Sequence, residues 1–349
     1  MTTPSAALAA AREQFDAPPG YLAVASMGIL SRDSVAAMKD DLDACAQGRR
    51  TPPEYDAVVD RARAAYARLV GVPVGSVAFG TSTATAGALV AATLPEGAEV
   101  VAPAGEFAST VLPFLQAPGV RVRFVELAAL ADEIRPETDL VAFSLIQSAT
   151  GEVADLPAVL AAAERNGALT FADLTQASGV YPVEAGLVDY SVCHAYKWLC
   201  SPRAVAFLTV SDRGAERLAP LQAGWYSAGE VWRMPYVPGL ELASDARRFD
   251  GTPAWQSFVG AAPAIEFFAG LDVGELWAHG SGLGDLLCRE LGIPEQHQAI
   301  VTWPDADGDH LRRLSAAGLA VSGRAGRLRA SFHLWNDESD VEAVLRAIR

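Results

Sequence analysis

Residues 190–201 read YSVCHAYKWLCS, which sets Lys197 just after a β-rich run, between Tyr196 and Trp198 and close to His194. Desolvation in such an apolar, aromatic setting lowers the pKa of an amine. A lysine there is primed to form a Schiff base with an aldehyde near neutral pH. Of the 27 Lys and Arg residues only Lys39 and Lys197 are lysines, and Lys39 lies in the charged run Met38-Lys39-Asp40-Asp41. Asp173 comes 24 residues before Lys197, in Ala172-Asp173-Leu174-Thr175-Gln176, at the end of another β-rich run. A carboxylate so placed can keep a heteroaromatic nitrogen protonated and make the ring an electron sink. Gln176, three residues on, offers an amide to a ring hydroxyl. Further upstream, Phe79-Gly80-Thr81-Ser82-Thr83-Ala84-Thr85 joins a strand to a helix. Glycine and hydroxyl residues at a helix start form an anion site, and this one fits neither the Walker nor the GxGxxG pattern. An amine, a carboxylate and a phosphate-type cradle together describe a site for pyridoxal 5′-phosphate (PLP). Each feature alone has a plainer structural reading as a strand or helix cap; the combination is what points to chemistry.

The elements that must position these residues are legible as an alternation. Short β-rich runs at 76–79, 99–102, 120–125, 140–145, 169–172, 188–193 and 205–210 are interleaved with Ala/Leu-rich helical stretches such as 85–93 and 156–165. The second helix closes on Asn166-Gly167, a stop signal. This alternation predicts an α/β fold with a mostly parallel sheet covered on both faces, its ligand site beyond the carboxyl ends of the strands. The stretch 220–253 breaks the pattern with Trp225, Tyr226, Trp232, Pro235 and Pro238, and reads as an irregular crossing segment, a lid or an interface. From Trp255 a helix runs to about Leu271, followed by a smaller α+β unit ending in a helix over 339–349. The expected organisation is an N-terminal segment 1–20, a large domain 21–240 and a small C-terminal domain 241–349.

With 349 residues and a formal net charge of −15, the chain is unsuited to nucleic acid or an anionic membrane surface, and any bound anion must be held locally. No secretory leader and no apolar run of membrane-spanning length is read, so a cytoplasmic setting is expected. Cys45, Cys193, Cys200 and Cys288 show no metal-ligand spacing with the five histidines and read as reduced thiols.

In their order and spacing, GTST, ADLTQ, HAYKW, DGTPAW and RASFHLWND resemble the class V aminotransferases, from Tyr21 to the C-terminus. That group includes cysteine desulfurases, kynureninases, isopenicillin N epimerase-like enzymes and C–S lyases. The resemblance implies the PLP fold type I, with Lys197 carrying the cofactor and later moving a proton. It places Asp173 on the pyridine nitrogen, Gln176 on the phenolic oxygen, and Ser82, Thr83, His194 and Tyr196 at the phosphate. Phe107 occupies the place of the aromatic that stacks on the ring, where desulfurases usually have His. Thr252, in Gly251-Thr252-Pro253, implies contact with the phosphate of a neighbouring subunit and so a two-fold homodimer. Arg329 matches the arginine that grips the α-carboxylate of an amino-acid substrate.

One departure is informative. Desulfurases carry a catalytic cysteine ahead of that arginine, whereas residues 318–328 here read GLAVSGRAGRL. Residues 221–226 and 242–250 are similar to those of the hercynylcysteine sulfoxide lyases of the ergothioneine pathway, which implies β-elimination of a cysteine conjugate to pyruvate and ammonia. The aromatics Trp225, Tyr226 and Trp232 would suit a trimethylammonium-bearing imidazole, or else pack an interface. Transamination or epimerisation uses the same residues as far as the carbanion and is the rival expectation. A catalytically idle scaffold is a second, against which the intact Lys197, Asp173 and Arg329 count.

Overall fold

The structure, a computed structural model, describes residues 5–233 and 235–349. Seven strands form the main sheet: β1 (Val77–Gly80), β2 (Glu99–Pro103), β3 (Arg121–Val125), β4 (Thr138–Ser144), β5 (Leu169–Asp173), β6 (Tyr190–His194) and β7 (Ala206–Val210). Their spatial order is β1-β7-β6-β5-β4-β2-β3. All seven runs expected from sequence are strands, within two residues at each end. Those at the centre are buried along almost their whole length, because helices cover both faces. The sheet is parallel except at β7, which runs antiparallel to both β6 and β1. The cause is the link 195–205 between β6 and β7, which is too short for the crossover that a parallel pair needs.

The helix Leu156–Asn166 illustrates how local signals place the elements. The Asp155 side chain accepts from the Ala158 N–H at its start, and Gly167 ends it at φ 75°, a left-handed conformation that suits glycine. The helix feeds directly into β5, whose last residue is Asp173.

Strands β8 (Ile300–Pro304), β9 (Ser322–Arg324) and β10 (Arg327–Ser331) form a second, antiparallel sheet in the order β8-β10-β9. Its core includes Leu283, Leu287, Val301, Leu328 and Val344, and also Leu22 from the far end of the chain. Leu22 donates to the Ala320 carbonyl and accepts from the Ser331 N–H, each at 2.8 Å, so residues near the N-terminus edge the small sheet. The helix Trp255–Phe268, grouped by sequence with the C-terminal part, packs on helices Asp56–Leu69 and Arg32–Ala46 of the large unit. Gly260 makes that approach possible, since a Cβ there would lie 2.6 Å from the Met38 side chain. No single helix among the described residues is long and apolar enough to cross a membrane.

The segment 220–253 is irregular, with short 3₁₀ turns at Trp225–Ser227 and Ala246–Phe249. Its aromatics close around Asp56: the Tyr226 hydroxyl donates to Oδ1 at 2.8 Å and the Trp232 indole N–H to Oδ2. Trp225 packs against both rings. The three rings thus contact one another and a helix of their own chain.

Candidate active site

Because β5 and β6 are parallel neighbours, their carboxyl ends bring Asp173 and the turn carrying Lys197 together. Asp173 is buried, and its carboxylate accepts from the Thr175 N–H at 2.8 Å and the Thr110 hydroxyl at 3.0 Å. Both donors are neutral dipoles that fix the carboxylate in place. Lys197 is 5% exposed. Its amine makes no hydrogen bond among the described residues and lies 5.0 Å from the centroid of the Phe107 ring. Burial lowers the Lys197 pKa to about 8, with Asp173 opposing and Arg329 and Arg203 adding to the fall. A substantial share of the amine is therefore neutral and nucleophilic close to pH 8.

Phe107 is half exposed at the start of helix Ala108–Gln116. Glu106 holds that turn, accepting from the Phe107 N–H at 2.7 Å and from the Ser144 N–H and hydroxyl at 2.8 and 2.5 Å. Gln176 is tied at both ends of its amide: it donates to the Ala25 carbonyl at 3.0 Å and accepts from the Trp198 indole at 2.6 Å. It thereby clamps the turn after β6. One amide N–H remains for the phenolic oxygen that the resemblance assigns to it.

Ser82 caps helix Thr83–Ala91, its hydroxyl accepting from the Thr85 N–H at 3.2 Å. The Thr83 and Ala84 N–H groups keep no protein partner among the described residues, which is the condition for an anion site at a helix start. Thr83 is linked to β6 through Thr175, whose hydroxyl lies 3.4 Å from that of Thr83 and accepts from the His194 N–H at 3.0 Å. The His194 Nε2 atom is buried and has no partner among the described residues. Its ring lies 4.4 Å from that of Tyr196, and burial pushes its pKa down to about 4, with help from Arg203 and Lys197. Thr252 is exposed on the stretch after Gly251, whose N–H donates to the carbonyl of Phe79 beside this cradle.

Arg329 is 6% exposed on β10 and enters no ion pair among the described residues. Neutral acceptors hold its guanidinium: the Ser322 hydroxyl at 3.0 Å, the Ser148 carbonyl at 2.5 Å and the Ser26 hydroxyl at 2.8 Å. Burial, reinforced by Arg324, lowers its pKa to about 10. Sequence reasoning found Lys197, Asp173 and Arg329, but not Thr110, Glu106, Ser26, Ser148, Ser322 or Arg203.

These features fit PLP. A buried, partly neutral lysine faces an aromatic ring, a fixed carboxylate stands at the end of the neighbouring strand, and a helix start with unpartnered N–H groups is linked through Thr175 to His194, whose ring nitrogen is orphaned. Fold and site define a PLP enzyme of fold type I. The family model for aminotransferase class V matches residues 52–305, and the chain belongs to that family. It is 28% identical to the kynureninase of Deinococcus radiodurans over 88% of this chain and 80% of that one. To isopenicillin N epimerase of Amycolatopsis lactamdurans it is 28% identical over 64% of this chain and 62% of that one. Among solved structures, the cysteine desulfurase CsdA of Escherichia coli superposes with a TM-score of 0.83 at 21% identity, covering 98% of this chain and 97% of that one. The cystine C–S lyase C-DES superposes at 0.85 and 19%, covering 95% and 97%. The protein is therefore a PLP-dependent enzyme of class V.

Proposed function

We propose that this enzyme is a C–S lyase that performs β-elimination on a cysteine-derived conjugate, with hercynylcysteine sulfoxide as the first candidate substrate. The observation that carries the reading is the pairing of a buried, unneutralised Arg329 with a cysteine-free approach to it. Residues 318–328 pass through β9 and a tight turn at Ala325-Gly326 into β10, with no thiol. Cys193 is buried on β6 behind Lys197, where burial pushes its thiol up to about 12, Cys200 and Cys288 are buried, and Cys45 lies on the helix Arg32–Ala46. Persulfide transfer through a thiolate has no group here to perform it. The candidate substrate itself rests on the likeness of residues 221–226 and 242–250 to the sulfoxide lyases.

Bound PLP supplies the electron sink for a carbanion at the substrate α-carbon. Arg329 holds the α-carboxylate by a charge-assisted pair and so fixes the α-carbon beside Lys197. Lys197 takes the α-proton, and the β C–S bond breaks with its electron pair leaving on sulfur. The three-carbon remainder is released by hydrolysis as pyruvate and ammonia. Asp173, held by Thr110 and Thr175, keeps the ring nitrogen protonated throughout. We place the enzyme in the cytoplasm as a two-fold homodimer, with the exposed Thr252 reaching the neighbour's phosphate.

The test is incubation of the purified enzyme with hercynylcysteine sulfoxide and simpler cysteine conjugates, assaying pyruvate and ammonia. Stoichiometric pyruvate and ammonia without a second substrate is the expected result. A requirement for an added keto acid, with no ammonia released, would replace the lyase with an aminotransferase; inversion at the α-carbon would replace it with an epimerase.

A further inference from the structure

A phosphate monoester carries between one and a half and two negative charges at neutral pH, roughly. The groups gathered at the cradle are uncharged. Ser82 and Thr83 offer hydroxyls and N–H groups, and His194, with its pKa near 4, is neutral in the physiological range. The helix start contributes about half a unit of positive charge, and the chain as a whole carries −15. A phosphate bound by these groups alone would remain largely uncompensated in an acidic protein.

Two arginines close to the cradle are already neutralised. Arg63, beneath β1, is paired with Asp250 at 2.7 Å, and Arg247 with Asp245 at 2.9 Å. Arg203 is different. It makes no ion pair and no side-chain hydrogen bond among the described residues, yet its guanidinium carbon lies 4.6 Å from the centroid of the Tyr196 ring. His194 touches that same ring and has the orphaned Nε2. The turn carrying Arg203 is anchored on both sides: the Ala195 N–H donates to the Val205 carbonyl at 3.0 Å and the Ser201 N–H to the Ala195 carbonyl at 3.2 Å. Ala204 completes it at φ 67°. Arg203 is thus presented from a braced turn and laid on an aromatic face, a placement that pre-orders a guanidinium.

We infer that Arg203 is the counter-charge of the cofactor phosphate, supplying from beside Tyr196 and His194 the cation that the Ser82–Thr83 cradle lacks. The assignment concerns cofactor capture and holds whether the enzyme eliminates, transaminates or epimerises. Its test compares binding of PLP and of pyridoxal, which lacks the phosphate, to the apoenzyme by quenching of intrinsic tryptophan fluorescence. Wild type, Arg203→Gln and Arg203→Lys are measured at low and high salt.

Arg203→Gln is expected to weaken PLP binding on the order of 10- to 100-fold, the range for losing a charge-assisted contact, while pyridoxal, which feels Arg203 only through Lys197, loses far less affinity. Arg203→Lys should recover part of the loss, and added salt should weaken PLP binding less in Arg203→Gln than in wild type. An equal loss for PLP and pyridoxal would overturn the inference, since it would locate the effect at Lys197 or in the fold. So would PLP binding unaltered by Arg203→Gln.

Discussion

Two kinds of buried charge coexist in this molecule. Beneath β1, Arg63 and Asp250 meet through two contacts of 3.1 and 2.7 Å, the Val77 carbonyl and the Phe79 N–H add further bonds, and the Arg63 Nε is left without a partner among the described residues. In the active site, Asp173 and Arg329 are just as deeply buried, but each is surrounded by neutral dipoles. In the first arrangement the two charges neutralise each other and lock the helix Asp56–Leu69 to the sheet. The second leaves each charge oriented by dipoles and outside any ion pair among the described residues, ready to take a ligand. Preorganised, unneutralised charge of this kind is what a binding or catalytic site requires.

The comparison breaks most visibly at the structural pair. Asp250→Ala strands a buried guanidinium and is expected to cost about 3–5 kcal/mol of stability, whereas joint replacement by Arg63→Met and Asp250→Leu should restore most of it. Denaturant midpoints of the apoenzyme read both. A loss below about 1 kcal/mol in the single variant would mean that water already compensates Arg63.

At the active site the expected pattern is reversed. Asp173→Ala and Arg329→Ala should cost the apoenzyme far less stability than Asp250→Ala, because neither charge is held in an ion pair among the described residues. Arg329→Ala loses a charge-assisted pair worth about 1.5–3 kcal/mol, hence on the order of 10–100-fold in kcat/KM. Asp173→Ala retains PLP while its turnover falls at least as far. A destabilisation matching that of Asp250→Ala would show that these charges serve the fold instead. Full activity in either variant would show that another group serves the ligand.

The strands were legible because apolar runs bounded by helical stretches leave little choice of structure, and Lys197 because it has a single competitor. The antiparallel turn of β7 was not, since it depends on a loop length that fixes direction only once β6 is placed. The neutral holders escaped for a different reason: serine and threonine are common, and their partners are remote. Ser26 meets Arg329 across 303 residues of sequence, and no local pattern encodes such a contact. Trp225, Tyr226 and Trp232 stayed open between ligand and interface because aromatics in an irregular segment suit either, and the contacts of Tyr226 and Trp232 with Asp56 span 170 and 176 residues.

Thr110 gives the finest test of the idea that neutral dipoles hold the functional charges. Its hydroxyl donates to Asp173 from a fully buried position on helix Ala108–Gln116. Thr110→Val keeps shape and volume but removes the donor, leaving one carboxylate oxygen without its bond. A loss of about 1.5 kcal/mol, roughly tenfold, is expected in kcat, with substrate KM little changed. Thr110→Ser separates positioning from packing, because it keeps the hydroxyl and deletes a buried methyl group. If the hydroxyl orients Asp173, the serine variant retains kcat while melting at lower temperature, and the valine variant does the opposite. Parallel changes of kcat and melting temperature in the two variants would reduce Thr110 to a packing residue, and the carboxylate would then be oriented by the Thr175 N–H alone.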